Sequence, residues 1–437
     1  MAEAFLLKAK KYILFPIILC VVAVCCCFAV FNTENGKQEA CVSAEGDYSC
    51  AKIDILYGGR VFSYVDDFIE PTDHTVAETL QMRKINAPLP EKIRMTDRCI
   101  AAGATYKDAM LYCFPLLEGR VDEAVKFINK KPEDSTVKFN PDKRPMFSIT
   151  REKVGYETDE EGLYRDIYLR LRRSGVVQVT VVPKTLIPGR TVYDNVKLTA
   201  LRAKFTTDYS NSNENRKDNI RLALKKINGT VLKPDEEFSF NKKVGRRSEQ
   251  NGFKEAKIIV GGEYVEGVGG GVCQASTTLY NCALRADMKI TQARNHSLLS
   301  SYVPPSFDAM VNSGSSDLRF VNSGDEPVFI RAYGTDSEAV VEIYGTALPY
   351  KIKTESVVLS RSDPPKDQEI VDTEGKYIKE PMRPGEKLRV SYGHGAVKSE
   401  GYLLYYDAQG KLLERKLIRC DNYSQVAGIV AVAPETA

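Results

Sequence analysis

Two short stretches of the chain hold residues that could do covalent chemistry. In GGGVCQASTTLYNCAL, Gly269 to Leu284, three glycines lead directly into Cys273. In ARNHSLLSSYVPPSFDAMV lies His296, one of three histidines in the chain and 23 residues beyond the cysteine. A thiol attacks a carbonyl as the thiolate, and a helix N-terminus or a neighbouring imidazole favours that form. The run from Val272 has apolar residues at helical spacing, Val272, Ala275, Leu279 and Ala283. Cys273 is therefore expected in the first turn of a helix, beside unpaired backbone amides and the positive end of the helix dipole. Gly270 and Gly271 can bring backbone donors close to a developing oxyanion, with Gln274 or Ser276 assisting. His296 is the natural base, and a third group should orient its ring. Asp308 and Asp317 are the candidates, with Asn295 behind them. His74 and His394 read as exposed loop or turn residues.

The same residues allow a plainer reading. A cysteine without a partner is commonly a small buried hydrophobe, and Cys282, nine residues further along the same helix, reads that way. Other chemistries fit less well. No G-K-[ST] follows the glycines, which excludes a P-loop. There is no G-x-S-x-G, and the S-x-x-K match Ser239–Lys242 falls at a strand end with no K-T-G elsewhere. Paired CxxC motifs are absent and histidine is scarce, so neither a metal site nor a cofactor is expected.

These residues need a scaffold to bring them together. NENRKDNIRLALKKING places Ile220, Ala223, Leu224 and Ile227 on one helical face, with Gly229 at the C-terminal cap. A strand at EEFSF, the glycine-rich GGEYVEGVGGG and a hairpin series after His296 complete a domain over 201–346. From 350 to 437 the chain is β-like. Residues 121–200 form an α+β module with helical spacing at 121, 124, 125 and 128 and a β-branched run, Val176 to Val182. Residues 34–120 comprise a polar tether and a region with no functional signal. The fold class is α+β, a multidomain ectodomain behind one N-terminal transmembrane helix and ending in an all-β module.

The anchor is read from Lys8, Lys10 and Lys11 ahead of twenty uncharged residues, Tyr12 to Phe31. That length spans a bilayer, and the lysines should stay cytoplasmic, placing the C-terminal domains outside. No convincing cleavage site follows, so an uncleaved single-pass anchor within 1–33 is expected. Seven of the eleven cysteines lie beyond it, and the spacing of Cys41–Cys50 and Cys99–Cys113 permits pairing. With 61 basic and 58 acidic side chains, net charge +3, the chain has no polyanion-binding signature, and nucleic acid is not an expected partner.

Residues from about 204 to 345 resemble the VanW domain family. The resemblance rests on FSFN, VGRRSEQNGFKEAKII, GVGGGVCQASTTLYNCAL, RNHSLLSSYVP, DAMV and DLRFVNSG. Residues 121–200 resemble the peptidoglycan-binding module that commonly precedes such domains. The resemblance implies wall chemistry, in some members L,D-transpeptidation through a cysteine, with peptidoglycan stem peptides as partners. Cys273 matches the family's cysteine and His296 its histidine; Arg294, Asp308 and Asp317 fall in matching stretches. Met310 and Pro305 stand where smaller residues are expected. The expected activity is formation of 3–3 cross-links through a cysteine acyl-enzyme with release of terminal D-Ala. Two alternatives stay open, a cysteine carboxypeptidase or amidase on the same stems and a non-catalytic wall-binding protein.

Overall fold

The computed structural model describes residues 50–66, 87–260 and 263–435. The apolar segment Tyr12–Phe31, Cys41 and His74 lie outside the described residues. Among the described residues, no helix is long and apolar enough to cross a membrane. The chain is mixed α+β, as its patterning predicts, and divides into two compact units. The first takes the described residues up to Ile128 together with Thr158–Pro183. The second takes Asn129–Glu157 and the described residues from Lys184 onward.

In the first unit a hairpin of Ala51–Tyr57 and Arg60–Asp66 is extended by Val176–Thr180, which pairs in parallel with Ala51–Tyr57. Helices Leu89–Ala101, Tyr106–Cys113, Leu117–Ile128 and Glu160–Leu171 belong to the same unit. Lys92 is almost wholly buried and ion-paired to Asp66 at 2.6 Å, as a buried ammonium requires. Segment 121–200 is thus divided between the units. Its strand Val176–Thr180 is completed by a strand at 51–57, and such long-range pairing leaves no trace in local sequence. Cys99 is a free cysteine, so the Cys99–Cys113 pairing that spacing permits is not made.

The second unit is built on a four-stranded antiparallel sheet, in the order Ala200–Asp208, Glu338–Gly345, Val328–Gly334, Thr230–Leu232. Helices Glu214–Ile227 and Val272–Arg285 pack on it and on each other. Ile220, Ala223, Leu224 and Ile227 are buried, as their spacing predicts, and join Ala275, Leu279, Ala283, Val341 and Ile343 in one core. The hairpin Glu255–Val260 with Glu263–Val268 delivers the chain to the glycines before Val272. The tail forms a three-stranded antiparallel sheet, Lys351–Arg361, Val397–Tyr406 and Leu412–Tyr423, and a small sheet of Gln368–Val371, Ile429–Val432 and Lys387–Ser391. The tail is all-β, and it packs into the same unit as the Cys273 helix, where Arg285 donates to Thr354 at 2.8 Å and Tyr350 to Asp287 at 2.6 Å.

Candidate active site

Cys273 occupies the first turn of the helix Val272–Arg285, as its sequence context predicts. Gly271 is the N-cap, with φ 101°, a conformation that costs L side chains energy and suits glycine. A side chain at Gly271 would also collide with the stems of Ile220 and Arg216, its Cβ falling 2.9 and 3.0 Å from them. Gly270 is buried against the preceding hairpin, where a Cβ would lie 2.6 Å from the Lys257 carbonyl oxygen. Asn219 holds the Gly270 carbonyl at 3.0 Å. The glycines thus let the hairpin, the helix Glu214–Ile227 and the cysteine turn approach one another closely.

The helix is buried nearly all round although it is rich in Ser, Thr and Asn. Buried hydroxyls and amides must be hydrogen-bonded, and here their partners lie on the segment that carries Asp308. Ser276 donates to the Ala309 carbonyl at 2.5 Å, Thr277 accepts from the Ala309 amide at 3.0 Å, and Asn281 donates to the Phe307 carbonyl at 2.7 Å. Residues 307 and 309 are clipped to the helix in this way, while the side chain of Asp308, between them, meets His296. One Asp308 oxygen, Oδ2, accepts from both the backbone amide and Nδ1 of His296, each at 2.6 Å. With Nδ1–H committed to the carboxylate, Nε2 is the nitrogen available to the Cys273 thiol. The thiol itself donates to the Val311 carbonyl at 3.3 Å, three residues beyond Asp308.

The electrostatics match this order. Burial alone would push the Cys273 thiol up. The hydrogen bond and charge of His296, a backbone hydrogen bond from Val311 to the thiolate and the Arg247 guanidinium together bring it below its ordinary value. Burial would lower His296, but its bond to Asp308 and its interaction with Cys273 raise it to about 9. Burial likewise works against the Asp308 carboxylate, which the bonds from His296 and Tyr423 nevertheless hold below the usual carboxylate range. A thiolate–imidazolium pair is the form these shifts favour.

Asp308 orients the imidazole and Asp317 does not. Asp317 accepts from Ser239 Oγ at 2.6 Å and from the Asn241 amide at 2.9 Å, and pairs with Arg319 at 3.0 Å. It ties down the short helix Phe240–Val244. Asn295 donates to the carbonyls of His296 and Asn422, both at 3.0 Å, rather than to the ring. The proposed side-chain oxyanion donors are committed elsewhere. Gln274 accepts from Arg216 at 2.9 Å and donates to the Asp208 carbonyl at 2.7 Å, and Ser276 is spent on Ala309 and the Cys273 carbonyl. Arg294 is exposed, and its backbone carbonyl accepts from the Met310 amide at 2.7 Å; the arginines that reach the site are Arg216 and Arg247. Of the first-turn backbone amides, Val272 donates to the Gly269 carbonyl at 3.2 Å and Gln274 to the Gly271 carbonyl at 2.9 Å, so the amide of Cys273 itself is the helix N-terminal donor left for an oxyanion.

Sequence reasoning also missed a layer supplied by the tail. Tyr423 donates to Asp308 Oδ1 at 2.7 Å and accepts from the Ser306 amide at 2.7 Å. Arg419 donates to the Asp308 carbonyl at 2.7 Å and pairs with Asp421 at 2.8 Å. Both lie in the strand Leu412–Tyr423, more than a hundred residues from the aspartate, and no local pattern marks them. Cys273 and His296 open into a cavity of about 1270 Å³, walled by serine-rich loops at 210–213 and 297–301 and by Arg216, Arg247 and Lys257. Tyr302, partly exposed, stands on the same wall.

This domain can be placed among known proteins. Residues 215–344 match the family model described as VanW like protein, and these bounds enclose Cys273, His296 and Asp308. Residues 215–344 are a VanW-like domain. It is 35% identical over 206 residues to the protein YoaR of Bacillus subtilis (strain 168), a match covering 46% of this chain and 66% of that one. It is 29% identical over 152 residues to the vancomycin B-type resistance protein VanW of Enterococcus faecalis (strain ATCC 700802 / V583), covering 33% of this chain and 55% of the relative. The chain therefore spans somewhat less than two thirds of the first relative and about half of the second. Within the VanW-like region lie the thiol, its imidazole and the carboxylate behind them; the tyrosine and arginine that brace the carboxylate come from beyond it.

Proposed function

We propose that this protein is a cell-wall enzyme, an L,D-transpeptidase acting on peptidoglycan stem peptides through Cys273. The supporting observation is the ordered set Cys273, His296 and Asp308 at one end of a large cavity. The Cys273 thiolate attacks the carbonyl joining the diamino acid to the terminal D-Ala. The backbone amide of Cys273 stabilises the oxyanion. The C–N bond breaks, the His296 imidazolium gives its proton to the departing amine, and D-Ala leaves. A thioester remains on Cys273. The side-chain amine of a second stem attacks it, His296 takes the amine's proton, and the thiolate is regenerated as a 3–3 cross-link forms. Asp308 holds the ring with Nε2 towards the sulfur throughout. The apolar segment Tyr12–Phe31 behind three lysines anchors the enzyme in the membrane, with the catalytic domain outside, where its substrate lies.

The test is incubation of the purified ectodomain with disaccharide-tetrapeptide. Release of D-Ala together with a dimer joined between two diamino acids is expected, with the acyl group trapped on the peptide carrying Cys273. D-Ala release without dimer moves the assignment to a carboxypeptidase. Normal dimer formation by Cys273→Ala overturns the mechanism, and wall binding without either product supports the non-catalytic reading.

A further inference from the structure

Two guanidinium groups line the cavity and the proposed reaction has not yet used them. Arg216 is held by Ser212 at 3.1 Å and by the Gln274 amide oxygen at 2.9 Å. Arg247 is held by the Asn241 amide oxygen at 2.6 Å and, more loosely, by the Asn312 carbonyl at 3.5 Å. Each is half-buried, and each is positioned by neutral oxygen acceptors. Among the described residues neither forms an ion pair: Asp317 acts on Arg247 only at longer range and is itself paired with Arg319. Asp208 is the one acid on the described cavity wall, and its carboxylate is occupied by the amide and hydroxyl of Ser210 at 2.7 and 3.1 Å.

Neutral orientation of a half-buried cation fixes its direction and leaves it without an ion-pair partner, the Cys273 sulfur and the more distant Asp317 being the charges that act on Arg247, so an anion entering the cavity would complete the site. The glycine turn is shaped around the same two stems. A Cβ at Gly269 would fall 2.9 Å from Arg247 Cβ, and one at Gly271 would fall 3.0 Å from Arg216 Cγ. Bare glycine backbone therefore admits both arginines to the rim of the cysteine turn. Arg247 is near enough to Cys273 to act on its charge, and Arg216 is tied to the next residue, Gln274.

The geometry points to a carboxylate subsite made by Arg247 and Arg216 beside Cys273, which recognises the free α-carboxylate of the C-terminal residue that leaves. This rests on the acyl-transfer reading and deepens it. The planar fork of a guanidinium suits a carboxylate. A leaving residue with a free carboxylate places that group one residue's length from the carbonyl under attack. The site therefore selects a stem whose scissile bond is its last one, and disfavours a longer or amidated stem.

The test reads the subsite without requiring transpeptidation. Second-order alkylation of Cys273 is measured with iodoacetate and with neutral iodoacetamide, and the ratio of the two rates is compared with that of a small-molecule thiol. Any change in thiolate fraction cancels in the ratio. The wild-type ratio should exceed the small-thiol ratio by roughly 10- to 100-fold, the scale of a charge-assisted carboxylate contact. It should fall most of the way back in Arg247→Gln and in Arg216→Gln, and survive largely in Arg247→Lys. A second arm uses the wild-type protein alone, so it does not depend on a variant's folding. N-acetyl-D-alanine should protect Cys273 from iodoacetamide, and its carboxamide should not. A wild-type ratio equal to that of the small thiol, or equal protection by acid and amide, overturns the subsite even if cross-links form. Both effects in a protein that makes no cross-links would sustain the subsite and reject the transpeptidase.

Discussion

The two ends of the helix Val272–Arg285 carry the same residue type in opposite states. Cys273, in the first turn, is half-buried, faces a cavity and is drawn towards the thiolate by an imidazole and a guanidinium. Cys282, near the last turn, is fully buried against the sheet, with its sulfur 3.4 Å from the Val341 carbonyl and its thiol pushed well up by burial. No property of cysteine separates them. The difference lies in what each end of the helix is packed against: a polar cavity with a buried His–Asp pair at one end, and aliphatic strands at the other. A thiol becomes a nucleophile where the fold supplies a charge to hold it ionised, and becomes core where it does not.

The largest test of that contrast is removal of each sulfur in turn. Cys273→Ala should abolish acyl transfer and eliminate the fast-alkylating thiol. Cys282→Ala should keep both and instead cost about 1–2 kcal/mol of stability through the small cavity it leaves, measured by denaturant unfolding. If Cys282 in the folded wild type alkylates as fast as Cys273, the contrast fails.

Next come the groups that make the first turn different. His296→Ala should lower turnover by roughly two to four orders of magnitude. Asp308→Asn should cost on the order of 100-fold or more, since it removes the carboxylate that sets the ring. Asp317→Asn, which disturbs the start of Phe240–Val244 and the ion pair to Arg319, should leave turnover within a few-fold and reduce stability by about 1 kcal/mol. Equal losses in the two aspartate variants would contradict the distinct roles their contacts assign.

The pH dependence sharpens the comparison further. Because Cys273 is lowered and His296 is raised to about 9, turnover should rise along an acid limb below the ordinary thiol range. It should fall again near pH 9, as the imidazolium that protonates the leaving amine loses its proton. Alkylation of Cys273 needs only the thiolate, so it should show the acid limb and no comparable fall. Alkylation of Cys282 should stay slow across that range. A Cys273 acid limb at or above the unperturbed thiol value, about 8.5, would remove the ion-pair description.

The smallest effect expected is that of Tyr423→Phe. It deletes one hydrogen bond to Asp308 and one to the Ser306 amide while keeping the ring. Turnover should fall roughly 3- to 30-fold, with the alkaline limb displaced upward, because a carboxylate that has lost a donor is a stronger acceptor for the His296 imidazolium. A fall in stability with no movement of that limb would make Tyr423 a packing residue only.

Much of this site is legible without coordinates because its signals are local. The glycines, the apolar spacing from Val272 and the helix face at 220–227 each constrain the backbone over a few residues, so Cys273 at a helix start follows from the amino-acid order alone. His296 follows from scarcity, since few other imidazoles were available. What the sequence could not decide was any question of direction between distant segments. Asp308 and Asp317 are the same residue on neighbouring stretches, and only the clip of Ser276, Thr277 and Asn281 onto residues 307 and 309 turns the first towards His296. Gln274, Ser276 and Arg294 have suitable chemistry in suitable places, yet burial and hydrogen-bond satisfaction commit the first two to the scaffold, and backbone direction leaves the third exposed. Tyr423 and Arg419 are separated from Asp308 by more than a hundred residues, and the packing of their strand against the Asp308 segment brings them back. Composition and periodicity report what one segment does to itself; which polar group a buried carboxylate meets is settled when every buried donor and acceptor in the core must find a partner at once.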